Sequence, residues 1–288
     1  MARLKVTRLT SGMTENTKTT LVLGGTGKTG RRVANLLTTH ALPVRIGSRT
    51  GQPPFDWADQ NTWAPLLHDV EAVYLVFYPD LAFPGAAETI RAFTTLAVHS
   101  GTRRLVLLSG RGEEEAQASE QAVKDSGVDW TILRASWFNQ NFSEHFLLGP
   151  VLDGEIVLPA GDVAEPFIDV DDIADVAVAA LTSDTHTGRT YDLTGPRLLT
   201  FADVAAEISK ATGREIHYTP VTPAQYAAAA AAHGVPEEQI AALTDLFTRV
   251  LDGRNAHLTD GVRRALGRDP RDFTNYAHDT ATTGIWNP

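Results

Sequence analysis

The chain has 288 residues, 43% of them hydrophobic and 21% charged, a formal net charge of −10 and no cysteine. That length suits one large α/β domain with a smaller appendage. The acid excess and the lack of a basic run argue against nucleic-acid binding, and the missing thiols exclude disulfides, thiolate nucleophiles, Cys-ligated zinc and iron–sulfur clusters.

Residues 1–18 are positively charged without an apolar core of signal-peptide length, and read as a disordered or loosely attached tail, with Met13 as an alternative start. No apolar run approaches the ~18 residues of a membrane span, and the cytoplasm is the expected location. An apolar run (Leu21, Val22, Leu23) then leads into Gly24, Gly25, Gly27 and Gly30, and Val33, Ala34, Leu36 and Leu37 return at helical spacing. Strand, glycine turn and helix are the context of a dinucleotide fingerprint, in which glycines let the backbone approach a pyrophosphate and the helix start faces its charge. The glycines fit two spellings, from Gly25 (GxGxxG) or from Gly24 (GxxGxxG). The candidate cofactor contacts here are Gly24, Gly25, Thr26, Gly27, Lys28, Thr29 and Gly30.

Pro43 to Gly47 reads as a buried strand ending in Ser48-Arg49-Thr50-Gly51. An acidic residue about 20 positions past the glycines would bind the ribose of NAD. Between Arg31 and Phe55 there is none, whereas Arg31, Arg32, Arg45 and Arg49 are present. Ser48 and Arg49 suit a 2′-phosphate, so NADP(H) is the expected cofactor; Arg31 and Arg32 equally suit a solvated surface.

The prolines after Gly51 indicate a loop, with a vestigial strand at Phe55 to Trp57 and a short helix from Asp59 to Leu67. Ala72 to Phe77 is a buried strand, and its end offers Phe77 and Tyr78 to a ligand, because ligands of open α/β sheets sit outside the carboxyl ends of strands. A helix from Gly85 to Ser100 follows, then a strand from Arg104 to Leu108 that delivers Ser109, Gly110 and Arg111. The next helix spans Glu113 to Ser126, with Glu113, Glu114 and Glu115 in its first turn, where acids suit the dipole. Trp130 to Leu133 is a further strand, and the alternation implies a parallel sheet with helices on both faces.

Ser136 to Phe142 (SWFNQNF) gathers aromatics and amides suited to a pocket wall. A short strand at Glu155 to Leu158 precedes the run Phe167 to Val170, and Asp171 or Asp172 caps a helix over Ile173 to Leu181. The acids Asp169, Asp171, Asp172 and Asp175 lack the central glycine and closing Glu of a calcium loop, no HxxxH or HExxH pair occurs, and no metal is expected. Thr190 to Leu193 is expected to be the last strand. Thr200 caps a helix through Lys210, and helices at Ala227 to Ala232 and Pro236 to Val250 follow.

Taken together, GGTGKTG, SRTG, LVLLSGRG, DWTILRASWFNQNF, PFIDVDDIADVAVAALT, YDLTGP and ATGREIHY resemble the NmrA-like group of atypical short-chain dehydrogenases, from Thr20 to the end. The resemblance implies a Rossmann-type, doubly wound, mostly parallel sheet, NADP(H) along the strand ends, and a substrate cleft under a smaller, more helical C-terminal region. Residues 19–194 are the expected cofactor domain, with 150–166 contributing to the substrate region formed by 195–288. Typical short-chain dehydrogenases carry Tyr-x-x-x-Lys, whose lysine lowers the tyrosine pKa for protonation of the alkoxide. None of the six tyrosines here is followed by that lysine, and the helix that should bear the pair reads EEEAQASEQAVKDSG. Ser109, at the family's serine position, Tyr78 and Asn141 are left as catalytic candidates. Phe83, Arg111, Trp137 and Phe138, with Asn141, Phe142 and Phe167, are the candidate substrate contacts, and their aromatic character favours a flat substrate. The expected activity is NADP(H)-dependent reduction of a quinone, enone or ketone; the alternative is a non-catalytic NADP(H) sensor. A sugar-nucleotide epimerase is disfavoured by the missing dyad, and a homodimer is common in such folds although no residue demonstrates one.

Overall fold

A computed structural model of the protein describes residues 19–288; the tail expected at 1–18 lies outside them. Six strands, β1 (Thr19–Leu23), β2 (Val44–Gly47), β3 (Val70–Leu75), β4 (Arg104–Gly110), β5 (Asp129–Ala135) and, after a short excursion, a strand at Arg189–Leu193, form one parallel sheet. With β6 (Glu155–Leu158) lying outside this sheet, the Arg189–Leu193 strand is β7, and the order is β2-β1-β3-β4-β5-β7.

The inner strands have apolar middles because both sheet faces are covered there, whereas the edge strands β2 and β7 carry Arg45, Arg189 and Asp192 and are partly exposed. Alternation sends Leu21 and Leu23 to one face, Val22 to the other, all without exposure. On the Val22 side lie α1 (Lys28–Thr39), whose Val33 and Leu37 point inward, and the helix Val170–Thr182; on the Leu21 side lie α2 (Ala86–His99) and α3 (Ala116–Lys124). Two short helices, α4 (Asn141–Glu144) and α5 (Leu148–Asp153), lead from β5 to β6, and Val170–Thr182 is α6. Beyond β7 come α7 (Phe201–Thr212), β8 (His217–Pro220), α8 (Pro223–Ala232), α9 (Glu237–Val250), α10 (Gly261–Leu266) and α11 (Phe273–Thr282).

Several expectations change. The helix expected from Asp59 to Leu67 is two 3-10 turns, Gln60–Thr62 and Ala64–Leu66, with the Asp59 side chain accepting from Asn61 N. The buried Trp63 fixes them, packing edge-on against Trp57 and Phe93 and donating to Asp56 O. The Arg189–Leu193 strand is not the last: β8 pairs in parallel with β6 as a separate two-stranded sheet. The cap of α6 is Asp169, whose carboxylate accepts from Asp171 N, while Asp172 and Asp175 bind Arg268 and Arg271. Asp171 pairs with Arg32, so each acid of this group has a structural partner. Thr200 does cap α7, in a reciprocal box with Asp203.

A second core lies beyond the strand ends. Trp137, Phe142, Phe167, Phe201, Phe247, Phe273 and Trp286 meet there, drawn from the segments after β5 and before α6 as well as from α7, α9, α11 and the last residues. In contrast, α10 returns to the main core through Val262.

Candidate active site

The carboxyl ends of β2, β1, β3, β4 and β5 form a ledge, in that order. The glycine turn follows β1, between the ends of β2 and β3. Gly24 has φ +62°, and Gly27 N donates to its carbonyl at 2.8 Å. A Cβ at Gly25 would stand 2.6 Å from Ile46 Cγ2, and one at Gly30 would run into the Gly24 carbonyl. Helix α1 starts at Lys28 with Gly27 as its cap residue, without a side-chain cap and without an acid in the first turn. Its first amide groups thus face the ledge without a side-chain acceptor, and the turn offers backbone where side chains would intrude. A diphosphate of a dinucleotide fits this cradle.

At the end of β2, Ser48 is partly exposed and Arg49 is exposed, its guanidinium 5.7 Å from the Tyr78 ring. The other arginines are committed elsewhere: Arg45 donates to Leu66 O and His68 O, and Arg31 and Arg32 bind Glu144. Among the described residues Arg49 makes no ion pair, so its charge is open to a phosphate. At the end of β3, Phe77 packs on Trp57, with ring centroids 5.1 Å apart, while Tyr78 is 70% exposed and Phe83 44%.

Lys28 spans the ledge. Its ammonium donates to Asn141 Oδ1 at 2.7 Å and lies 5.7 Å from the Phe138 centroid. Burial lowers it to about 8; Glu144 opposes the shift and Arg31 and Arg32 add to it. The structure therefore brings three expected site residues, Lys28, Phe138 and Asn141, into one group.

Others leave the site. Ser109 turns its hydroxyl to the α3 side, donating to Glu120 Oε1 at 2.8 Å. Burial raises Glu120, but hydrogen bonds from Arg134 and Ser109 outweigh it and hold the carboxylate below its ordinary value. Ser109 is thus a satisfied core serine, which corrects both the catalytic and the cofactor expectation for its side chain. Arg111 is buried and donates to Asn255 O at 2.8 Å and His257 O at 2.9 Å, while Asn255 Nδ2 donates back to Arg111 O. It clasps the 255–257 segment onto the sheet, so its guanidinium is taken up by main-chain carbonyls.

Trp137 stacks on Phe247 at 5.7 Å, and Phe142 and Phe167 pack edge-on against each other. Phe142 has no exposure and Phe167 only 2%. These three build the second core, because one long stretch of aromatics buries more area by meeting other aromatics than by lining a groove.

The acids after β4 also differ from expectation. Helix α3 starts at Ala116, with no acid in its first turn. Gly112, at φ +80°, precedes Glu113, whose carboxyl lies against Gly110, so that a Cβ at Gly110 would overlap it. Glu113 Oε2 is closed off from solvent and has no hydrogen-bond partner among the described residues. The Asp80 carboxyl, from the loop after β3, stands within hydrogen-bonding reach. Burial, followed by Asp80, raises Glu113 to about 8. A three-glutamate run reads as a solvated helix start, which is why this placement was not visible in the sequence. Glu165 was missed likewise: it has no exposure and both oxygens lack partners, and burial raises it to about 7 against the pull of Arg111.

The family profile described as NAD(P)H-binding matches residues 24–184. An agroclavine dehydrogenase of Claviceps fusiformis is 35% identical over 93% of this chain and 98% of its own length. An NAD(P)H azoreductase of Xenophilus azovorans is 30% identical over 89% of this chain and 96% of its own. Among solved structures, an NADPH-dependent quinone oxidoreductase from Escherichia coli, complexed with NADPH, superposes with a TM-score of 0.73 at 20% identity, over 91% of this chain and 99% of that one.

Proposed function

We propose, since this chain belongs to the NAD(P)H-binding family and is an NAD(P)H-dependent oxidoreductase, that it uses NADP(H) to reduce a quinone, enone or ketone-bearing aromatic small molecule. The observation that carries this reading is the ledge itself: an uncapped helix start in the middle, Arg49 on one side, and Lys28, Phe138 and Asn141 on the other. The amide groups of the glycine turn would hold the diphosphate. Arg49, resting on the Tyr78 ring, would pair with the 2′-phosphate. The cofactor, when bound, supplies a hydride. Phe138 and the exposed Tyr78 and Phe83 would offer apolar surface to a flat acceptor, and Lys28 and Asn141 would orient its polar end.

The names of the relatives, a dehydrogenase and an azoreductase, support chemistry on small organic molecules and favour the enzyme over the non-catalytic sensor. In this reading residues 19–194 hold the cofactor, and 195–288 with 150–166 cover the acceptor. No helix of the described residues is long and apolar enough to cross a membrane. The test is titration with NADPH and NADH by cofactor fluorescence, continued with a panel of quinones, enones and aromatic ketones. NADPH binding followed by oxidation with a panel member is the expected result; binding without oxidation across the panel would overturn the substrate class.

A further inference from the structure

Hydride transfer to a carbon–carbon or carbon–oxygen double bond leaves a negative charge that a proton must neutralise, and the usual tyrosine is absent from α3. The ends of β3 and β4 hold another candidate. Val76 borders Gly24 of the glycine turn, and Gly110, one strand further along the ledge, is covered by the Glu113 carboxyl. Glu113 differs from Glu114 and Glu115, which are exposed; Glu115 is bound to Arg249 at 2.7 Å. Its Oε2 meets no donor, and the group within its reach is a second carboxyl. Asp80 accepts from Ala82 N at 2.8 Å. Two carboxyl groups in contact can bond only if one carries a proton, since like charges this close do not both ionise.

We propose that Glu113 donates the proton taken up by the acceptor, from a carboxyl pair formed with Asp80 at the ends of β3 and β4. This rests on the reductase reading above. In the step, the acceptor carbon gains a hydride with its electron pair, the Glu113 O–H bond breaks, and an O–H or C–H bond forms on the acceptor. The carboxylate left behind takes a proton from solvent at the Asp80 side. Its acid form is kept by burial and by Asp80 and Glu115. Of the cations nearby, Arg249 is bound to Glu115, Arg254 donates to Gly112 O, and Arg111 points to the 255–257 carbonyls. None of them is bonded to Glu113.

Two measurements test it. An infrared pH titration of the native chain should show a carboxylic-acid C=O band that persists at pH 7, fades near pH 8, and is absent in Glu113→Gln; in Asp80→Asn the fading should move to lower pH. A band unchanged in Glu113→Gln would overturn the carboxyl pair. Turnover is then followed with NADPH and either 1,4-naphthoquinone or cyclohex-2-enone. Glu113→Gln should lose about 100-fold in kcat with NADPH affinity unchanged, and Glu113→Asp should recover part of it with an altered pH profile. Native rates in Glu113→Gln would overturn the donor role while leaving a reductase. Absence of NADPH binding or of turnover by the native chain would instead overturn the reductase reading, and the donor role with it.

Discussion

Arg49 shows how little of a residue's role lies in its type. Four arginines follow the glycine turn, and three are held by carbonyls or by Glu144, leaving one whose charge is available at the end of β2. Arg49→Ala should weaken NADPH binding about tenfold or more and leave NADH unchanged, as read by fluorescence titration; equal losses would remove Arg49 from the 2′-phosphate. Glu113 gives a second residue-scale expectation, through stability. Its folded value is raised from 4.5 to about 8, so the folded state binds more protons than the unfolded chain between those values. The stabilisation is complete below pH 4.5 and is lost as pH rises to about 8. In thermal unfolding, the stability of the native chain relative to Glu113→Gln should therefore fall steadily as pH rises over that window. Lys28, whose folded value is lowered to about 8, acts with the opposite sign, stability rising from pH 8 toward 10.5.

At the scale of elements, the parts set by local pattern were legible and those set by distant partners were not. The strand–glycine–helix unit, α2, β4 and the Thr200 cap follow from apolar spacing, glycine and capping chemistry, all written within a few residues. The short strand β8 was not, because His217 to Pro220 has little apolar character and exists by pairing with β6, some sixty residues earlier. Ser109 and Arg111 are residue types that serve sites or structure equally well, and only Glu120 and the 255–257 carbonyls decide between them. The same logic applies to Trp137, Phe142 and Phe167, whose partners in α7, α9 and α11 lie far along the chain. The glycine turn yields a sharp test. Gly30→Ala puts a methyl group into the Gly24 carbonyl, and should cost about 1–3 kcal/mol in urea unfolding and abolish saturable NADPH binding. Binding at native affinity would show that the turn does not approach the cofactor.

Over the whole molecule, a second core built from the segments after β5 and from the C-terminal helices stands beside the packing around the main sheet. Trp286 ties the last residues into the second core: it has no exposure, and its indole donates to Phe142 O at 2.8 Å while Arg214 donates to its carbonyl at 2.6 Å. Trp286→Ala should cost about 3–5 kcal/mol of stability, measured by urea denaturation. A loss below 1 kcal/mol would mean that the second core holds without it.

The clasp made by Arg111 has a consequence for how such a chain can change over generations. Its guanidinium reads main-chain oxygens of residues 255 and 257, which every amino acid possesses. Apart from Asn255, whose amide returns a hydrogen bond, the segment keeps its seat whatever side chains it carries. Ala256 and the half-exposed Leu258 are therefore positions where side chains can change without unfastening the scaffold, a mutable rim on a fixed frame.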